Sequence, residues 1–282
     1  MVQVLIYYPY LDGTSTSLID TYYNLKSFGV DIECYVAVDT SDMKRNLEYI
    51  QTLKKSAPKD FYYKTIPLKE IYNKNFDNLI MSFGIFRFVD KLPTNYNHLF
   101  LLDAGRVAYD HFVGKSQCAN YVKKMQNVSI YGGKANGNFL NIDNYKIWYH
   151  KFSKERFEVL KHLPQNENIT TTQDREKTGN IKYDYLLTSE YHYNRYKRWG
   201  EFVGGYWENI GKMVFEFPAL GKKVFYSPKN KNCDDGLTEY LALFGINDEV
   251  EQEIKISEEQ LFKVLGMHED DVLLNDIRNY EK

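Results

Sequence analysis

The sequence predicts an α/β protein made of two doubly wound, Rossmann-like domains facing a central cleft. Three observations carry this expectation. Strand-length apolar runs recur along the chain, starting with Val2–Tyr8 (VQVLIYY), and continuous runs of that kind suit strands buried on both faces of a parallel sheet. Helically spaced segments separate them. A strand, a Gly-containing turn and a helix occur in the same order twice, and 282 residues suit two compact domains.

In chain order, the turn Asp12-Gly13-Thr14-Ser15 follows the first strand. Leu18, Ile19, Tyr22, Tyr23, Leu25 and Phe28 then keep helical spacing until Gly29 stops the helix. Asp31–Val38 reads as the second strand, which completes a right-handed β-α-β unit. A helix over 42–56, strands over 60–66, 77–83 and 97–102, and a helix near 115–126 finish the first layout. The second opens with strand Val128–Tyr131 and the turn Gly132-Gly133-Lys134-Ala135-Asn136-Gly137. Helices over 153–163, 189–199, 210–220 and 236–245 follow, with strands over 183–188 and 222–227. The apolar-poor stretch Gln165–Asn180 reads as a loop. The boundary falls between a first Rossmann-like domain, 1–126, and a second, 127–282, with an acidic, helical C-terminal segment.

Composition narrows the function classes. Hydrophobic residues make up 43%, with 25 Tyr and 17 Phe, so disordered and fibrous classes are excluded. Mean hydropathy is −0.53 and no run approaches a membrane span, which together with the absence of a signal-peptide pattern gives a cytoplasmic expectation, the host cytoplasm for a viral protein. Cys34, Cys118 and Cys233 form no metal-ligand spacing. The net charge of −2 hides an asymmetry: Asn247–Lys282 holds eleven acids against four Lys/Arg, which leaves +5 on the other 246 residues. Either a solvated acidic helix or a one-faced contact with a polyanion fits that distribution.

The densest chemical signal is Gly204–Gly236. Glu208 and Glu216 are spaced E-x7-E with Gly211 and Lys212 between them. A helix starting near Asn209 offers free N–H groups to a diphosphate, and Lys212 adds a point charge. Glu216, two turns on from Glu208, suits the paired hydroxyls of a ribose, while Glu208 at the helix mouth falls nearer a donor sugar. An amphipathic helix burying Ile210, Met213, Val214, Phe217 and Leu220 is the structural alternative. Pro218 interrupts that helix late and removes one donor. Asp103 follows a buried strand (LFLLDAGRV), where α/β sheets place reactive groups and where desolvation favours a general base. Its alternatives are a cap or a pair with Arg106, and His111 is a competing base. Gly13 and Thr14 can hold an acceptor or donor phosphate at the first helix, or serve as an ordinary N-cap. Arg195, Lys197 and Arg198 in YHYNRYKRW can meet phosphates while the aromatics stack on bases, and Tyr145–His162 is similarly basic. Both stretches also suit amphipathic helices with basic outer faces. LDGTSTS lacks G-x-G-x-x-G, and the chain has no P-loop.

The E-x7-E segment, with ALGKKVFYSP and Asp235-Gly236 after it, resembles the donor half of GT-B nucleotide-sugar glycosyltransferases. LFLLDAGRV and SIYGGKANG are similar to elements of the DNA β-glucosyltransferases of T-even phages. The resemblance implies a GT-B-like fold, Glu216 on the nucleotide ribose, Asp103 as base, and Gly133 and Lys134 beside the donor diphosphate. It also implies a UDP-sugar such as UDP-glucose, no required cofactor, and optional Mg or Mn bound through the diphosphate. The implied acceptor is a 5-hydroxymethylpyrimidine, such as hydroxymethylcytosine, in double-stranded bacteriophage DNA. E-x7-E is associated with retention and an in-line Asp103 with inversion, so the stereochemistry stays open. The alternatives are transfer to a cell-envelope saccharide or small molecule, and a non-catalytic nucleotide-binding protein of the same fold.

Overall fold

The computed structural model describes residues 1–6, 13–38, 43–82, 95–102, 126–133, 143–149, 151–162, 185–187, 213–226, 228 and 237–281. Its centre is a seven-stranded sheet in the order β3-β2-β1-β4-β5-β6-β7, with every neighbouring pair parallel. The strands are β1 (Val2–Ile6), β2 (Ile32–Val38), β3 (Lys64–Pro67), β4 (Phe76–Ser82), β5 (Tyr96–Leu102), β6 (Val128–Gly132) and β7 (Tyr145–Ile147). This is the order of doubly wound nucleotide-binding sheets, with its switch point between β1 and β4.

The continuous apolar runs are explained by burial on both sides. Val2, Val4, Ile6, Cys34, Val36, Ile80, Phe100, Leu102 and Tyr131 face one core. Their alternates Leu5, Leu79, Met81, Leu99, Leu101 and Ile130 are also buried. Helix α1 (Gly13–Ser27) covers the first face through Leu18, Ile19 and Tyr22, and ends at Gly29, whose φ of 76° suits a residue without Cβ. Helix α2 (Met43–Ser56) and the single turn α3 (Leu68–Ile71) complete the crossovers around β3.

Right-handed crossovers put α1 and α2 on one face, and the order reversal at β4 sends the next connections to the other. The α1 side of β5 and β6 therefore needs a cover from elsewhere in the chain. Helix α8 (Val272–Tyr280) supplies it, with Leu273, Leu274 and Ile277 in the α1-side core. Full burial of such side chains stabilises by about 1.5–3 kcal/mol each. Asp271 caps α8, accepting from the N–H groups of Leu273 and Leu274, and also takes the Trp148 indole N–H at 3.2 Å.

A second sheet, β10-β9-β8, pairs β9 (Val224–Tyr226) parallel to β8 (Tyr185–Leu187) and antiparallel to β10 (Gln252–Ile254). Its core gathers Phe215, Phe217, Tyr240, Leu241, Ile254 and Leu261, with Phe215 stacked on Tyr240 at 5.2 Å between ring centroids. Helix α4 (Lys154–His162) joins the two cores: Val159 belongs to the first, Phe157 to the second. Helices α5 (Met213–Glu216), α6 (Leu237–Leu243) and α7 (Glu258–Lys263) complete the chain; α7 starts at a capping box between Ser257 and Gln260.

The α/β class and the parallel sheet agree with the sequence reading, and several details differ. The expected boundary at 126/127 falls between β5 and β6, which are direct neighbours in one sheet with Leu99 opposite Val128. The double glycine Gly132-Gly133 at the end of β6 resembles a domain opening, but β7 pairs with β6. The C-terminal segment also departs from an all-helical one, because β10 precedes α7 and α8. Of the helix expected over 210–220, the described part is α5, which ends at Glu216 and is followed by a 3-10 turn over Pro218–Leu220 that Gly221 closes at φ 78°. Pro218 is the physical cause, since it cannot donate to the preceding turn. The strand expected over 60–66 begins at Lys64, because Pro58 accepts from Phe61 N–H in a turn and buries that ring.

Candidate functional site

In a sheet of this order, ligands bind outside the strand C-termini near the switch point. The described C-terminal ends are Ile6, Ser82, Leu102 and Gly132, and α1 begins at the same edge with Gly13 and Thr14. Asp103 is the next residue after β5. Asp103 itself, Arg106, His111, Lys134, Arg195, Lys197, Arg198, Glu208, Asn209, Gly211, Lys212 and Asp235 lie outside the described residues. Gly133 is buried directly after β6, and its carbonyl accepts from the Tyr145 hydroxyl at 2.7 Å.

Glu216 ends α5 with 0% of its side chain exposed. The sequence places it beside a nucleotide; the structure places it against Arg156, whose Nη1 donates to its Oε1. Arg156, also at 0% exposure, reaches Asp20 Oδ2 with its Nε at 3.4 Å. Three helices thus contribute to one buried ion triad: Asp20 from α1, Arg156 from α4 and Glu216 from α5. Among the described residues, the second carboxylate oxygen of Glu216 has no hydrogen-bond partner. For both Glu216 oxygens to take ribose hydroxyls, its pairing with Arg156 has to open.

Asn24, one turn after Asp20, is a second buried link. Its Nδ2 donates to the Asp20 carbonyl at 2.8 Å and to the Phe152 carbonyl at 3.2 Å, and its Oδ1 accepts from Met267 N–H at 2.9 Å. The chain leaves the large sheet through Phe152 and returns through Met267, so one side chain ties both crossings to α1. Ser153 begins α4, with its Oγ accepting from Arg156 N–H at 3.1 Å.

A third polar cluster lies under α8. His98 is 4% exposed, contacts Ser129 Oγ through Nε2 at 2.9 Å, and stacks on Tyr280 at 3.8 Å. Burial pushes its imidazole down from 6.5 to about 4; Asp276 pulls the other way and Lys146 adds to the depression. Asp276 accepts from the Tyr131 hydroxyl and pairs with Lys146 at 2.5 Å, and burial raises the Tyr131 phenol far above its ordinary value. Among the described residues, no three His, Cys, Asp or Glu side chains converge as a metal-binding group, and no helix is long and apolar enough to cross a membrane.

The sequence reading missed Arg156, Asp20, Asn24 and His98. A signal for Arg156 was present: it shares a helix face with Ser153, Phe157 and Leu160, all buried. No family model matches the chain, and neither a curated protein nor a solved structure matches it.

Proposed function

We propose that this protein transfers a sugar from a nucleotide-sugar donor, a UDP-sugar in the first instance, to a hydroxyl acceptor. The observation that supports the reading is the sheet order, which makes the C-terminal edge around β1, β4 and β5 the ligand-binding edge, with Asp103 directly after β5. Asp103 removes the acceptor proton as the oxygen attacks the anomeric carbon, and the nucleotide diphosphate leaves. Lys134, Lys212 and the N–H groups near Asn209 and Gly211 take up the leaving charge. Glu208 lies by the donor sugar, and Asp235 belongs to the same donor segment. A divalent ion, where present, comes in on the diphosphate.

The acceptor in this reading is a 5-hydroxymethylpyrimidine in duplex DNA, which must leave the base stack at a cost of a few kcal/mol to be reached. The test is mass spectrometry of hydroxymethylated DNA after incubation with a panel of nucleotide sugars. A hexose- or pentose-sized mass gain, abolished by Asp103→Ala with donor binding retained, is the expected result. Donor hydrolysis without DNA modification moves the acceptor to a saccharide or small molecule. No donor consumed at all refutes the transferase reading.

A further inference from the structure

The region from Met43 to Lys74 carries eight Lys/Arg against three acids, a net of +5. That equals the whole excess of the first 246 residues, so the remainder of them sums to zero. Lys44, Lys54, Lys55, Lys59 and Lys69 are all exposed. Among the described residues none of the five has an ion-pair partner; exposed Lys154 and Lys255 outside the region lack one as well, while Lys26, Lys64, Lys146, Lys151, Lys161 and Lys263 are paired.

The arrangement is as informative as the count. Among the α2 residues whose exposure is described, Lys44, Leu47, Glu48, Gln51, Lys54 and Lys55 are exposed, and their spacing makes one continuous face. At ~1.5 Å per residue, Lys44 and Lys54 stand about 15 Å apart along it. The loop after α2 extends the face with Lys59 and with Tyr62, whose ring is 72% exposed. Two lysines in the last turn of α2 suit the negative end of its dipole. Lys44 and Arg45 in the first turn do not: that end is positive and favours acids, yet it has none.

We infer that α2 and the loop after it form a binding face for the phosphate backbone of nucleic acid. A 15 Å stretch of duplex carries about nine phosphates, enough to engage every cation on the face. Among the α2 residues described as exposed, Leu47 is the single apolar one, among charged and amide side chains, and such a stripe lacks the apolar face that seats a helix in a lipid surface. The helix begins after the C-terminal end of β2, so the face runs from the ligand-binding edge downwards. It adds a nucleic-acid contact to the acceptor reading without depending on it, since binding is measured with no sugar donor present.

The test is fluorescence anisotropy of the full chain with a short labelled duplex between about 50 and 200 mM salt. Four phosphate contacts, from Lys44, Lys54, Lys55 and Lys59, give a log–log slope of about −3.6, a loss of about 150-fold over that range. Lys54→Gln with Lys55→Gln and Lys59→Gln leaves one contact, a slope near −0.9 and a loss of about 3.5-fold. Lys263→Gln, at an exposed pair with Glu259, leaves the slope at the wild-type value. The inference is overturned by absence of salt-dependent binding, or by a triple variant with the wild-type slope and an unchanged melting temperature. Tighter binding to phosphatidylserine vesicles than to DNA at equal charge overturns it in favour of a membrane. Self-association reversed by the triple variant, without DNA binding, overturns it in favour of a second copy's acidic segment.

Discussion

Replacing Glu216 separates its structural role from any role toward a nucleotide. Glu216→Ala leaves the fully buried Arg156 with Asp20 but without the carboxylate that Nη1 meets. Truncating one partner of a buried ion pair costs about 3–5 kcal/mol, because the remaining charge stays out of water. For a chain of this size each kcal/mol lowers the melting temperature by roughly 2–4 °C, so the expected fall is about 6–20 °C. Glu216→Gln keeps an oxygen acceptor for Arg156 and gives up the charge, so a smaller fall is expected. Replacing the whole triad by apolar residues of similar volume, Asp20→Leu with Arg156→Met and Glu216→Leu, is expected to restore much of the loss. The assay is thermal unfolding at fixed pH, with nucleotide titration of every variant still folded at the working temperature. Weaker nucleotide binding in folded Glu216→Gln supports the ribose role, and unchanged affinity removes it. A wild-type melting temperature in Glu216→Ala refutes the buried-triad argument altogether.

The remaining predictions concern the helices that close the fold. His98 has a native pKa near 4 against 6.5 unfolded, so between those values the unfolded chain binds the extra proton and stability falls as pH falls. At ~1.4 kcal/mol per unit the full loss is about 3 kcal/mol, absent above pH 6.5 and complete below about 4; denaturant midpoints of wild type and His98→Gln measure it, and parallel pH profiles over this window would count against the assignment. Asn24→Leu leaves the Phe152 carbonyl and the Met267 amide without this partner, at about 1–3 kcal/mol each. Hydrogen exchange should rise at Met267 first, and unaltered exchange there would show that Asn24 does not hold the return crossing. Leu274→Ala, at 0% exposure under α8, should cost about 2–5 kcal/mol in chemical denaturation.

The parallel sheet was legible because burial on both faces leaves an unmistakable mark: continuous apolar runs such as FDNLIMS and NHLFLL. The mark failed for β7, whose Tyr145–Ile147 is three residues long at the sheet edge, with Ile147 half exposed. An edge strand has one neighbour and little burial, so it imposes almost no pattern on its sequence. The reading of a boundary at 126/127 follows from the same cause: without β7 in view, Gly132 and Gly133 resemble an opening, although β6 pairs with both β5 and β7. Helix α8 was legible as a helix but not by its position. Its place follows from the strand order, which leaves the α1 side of β5 and β6 uncovered, and that order cannot be read from local periodicity.

The polar network was hidden for a different reason. Periodicity treats a charged residue as evidence for an outer face, and Arg156 sits in a stretch with Lys151, Lys154 and Lys161 that looks uniformly solvated. A guanidinium becomes tolerable inside only when carboxylates from distant segments arrive with it, here Asp20 from 136 residues earlier and Glu216 from 60 residues later. No single segment carries that information. The sequence does carry its converse: Asp20 stands between Ile19 and the buried Tyr22 and Tyr23, and Arg156 stands beside Phe157 on an otherwise apolar face. Two opposite charges, each out of phase with its own helix, resolve their separate misfits when they meet. Glu216 is the third such misfit, between the buried Phe215 and Phe217, and what reads locally as a ligand-facing carboxylate is held by the same guanidinium. Charged residues that violate helical phase are therefore better sought in complementary sets than one at a time, and any nucleotide that claims Glu216 must compete with Arg156 for it.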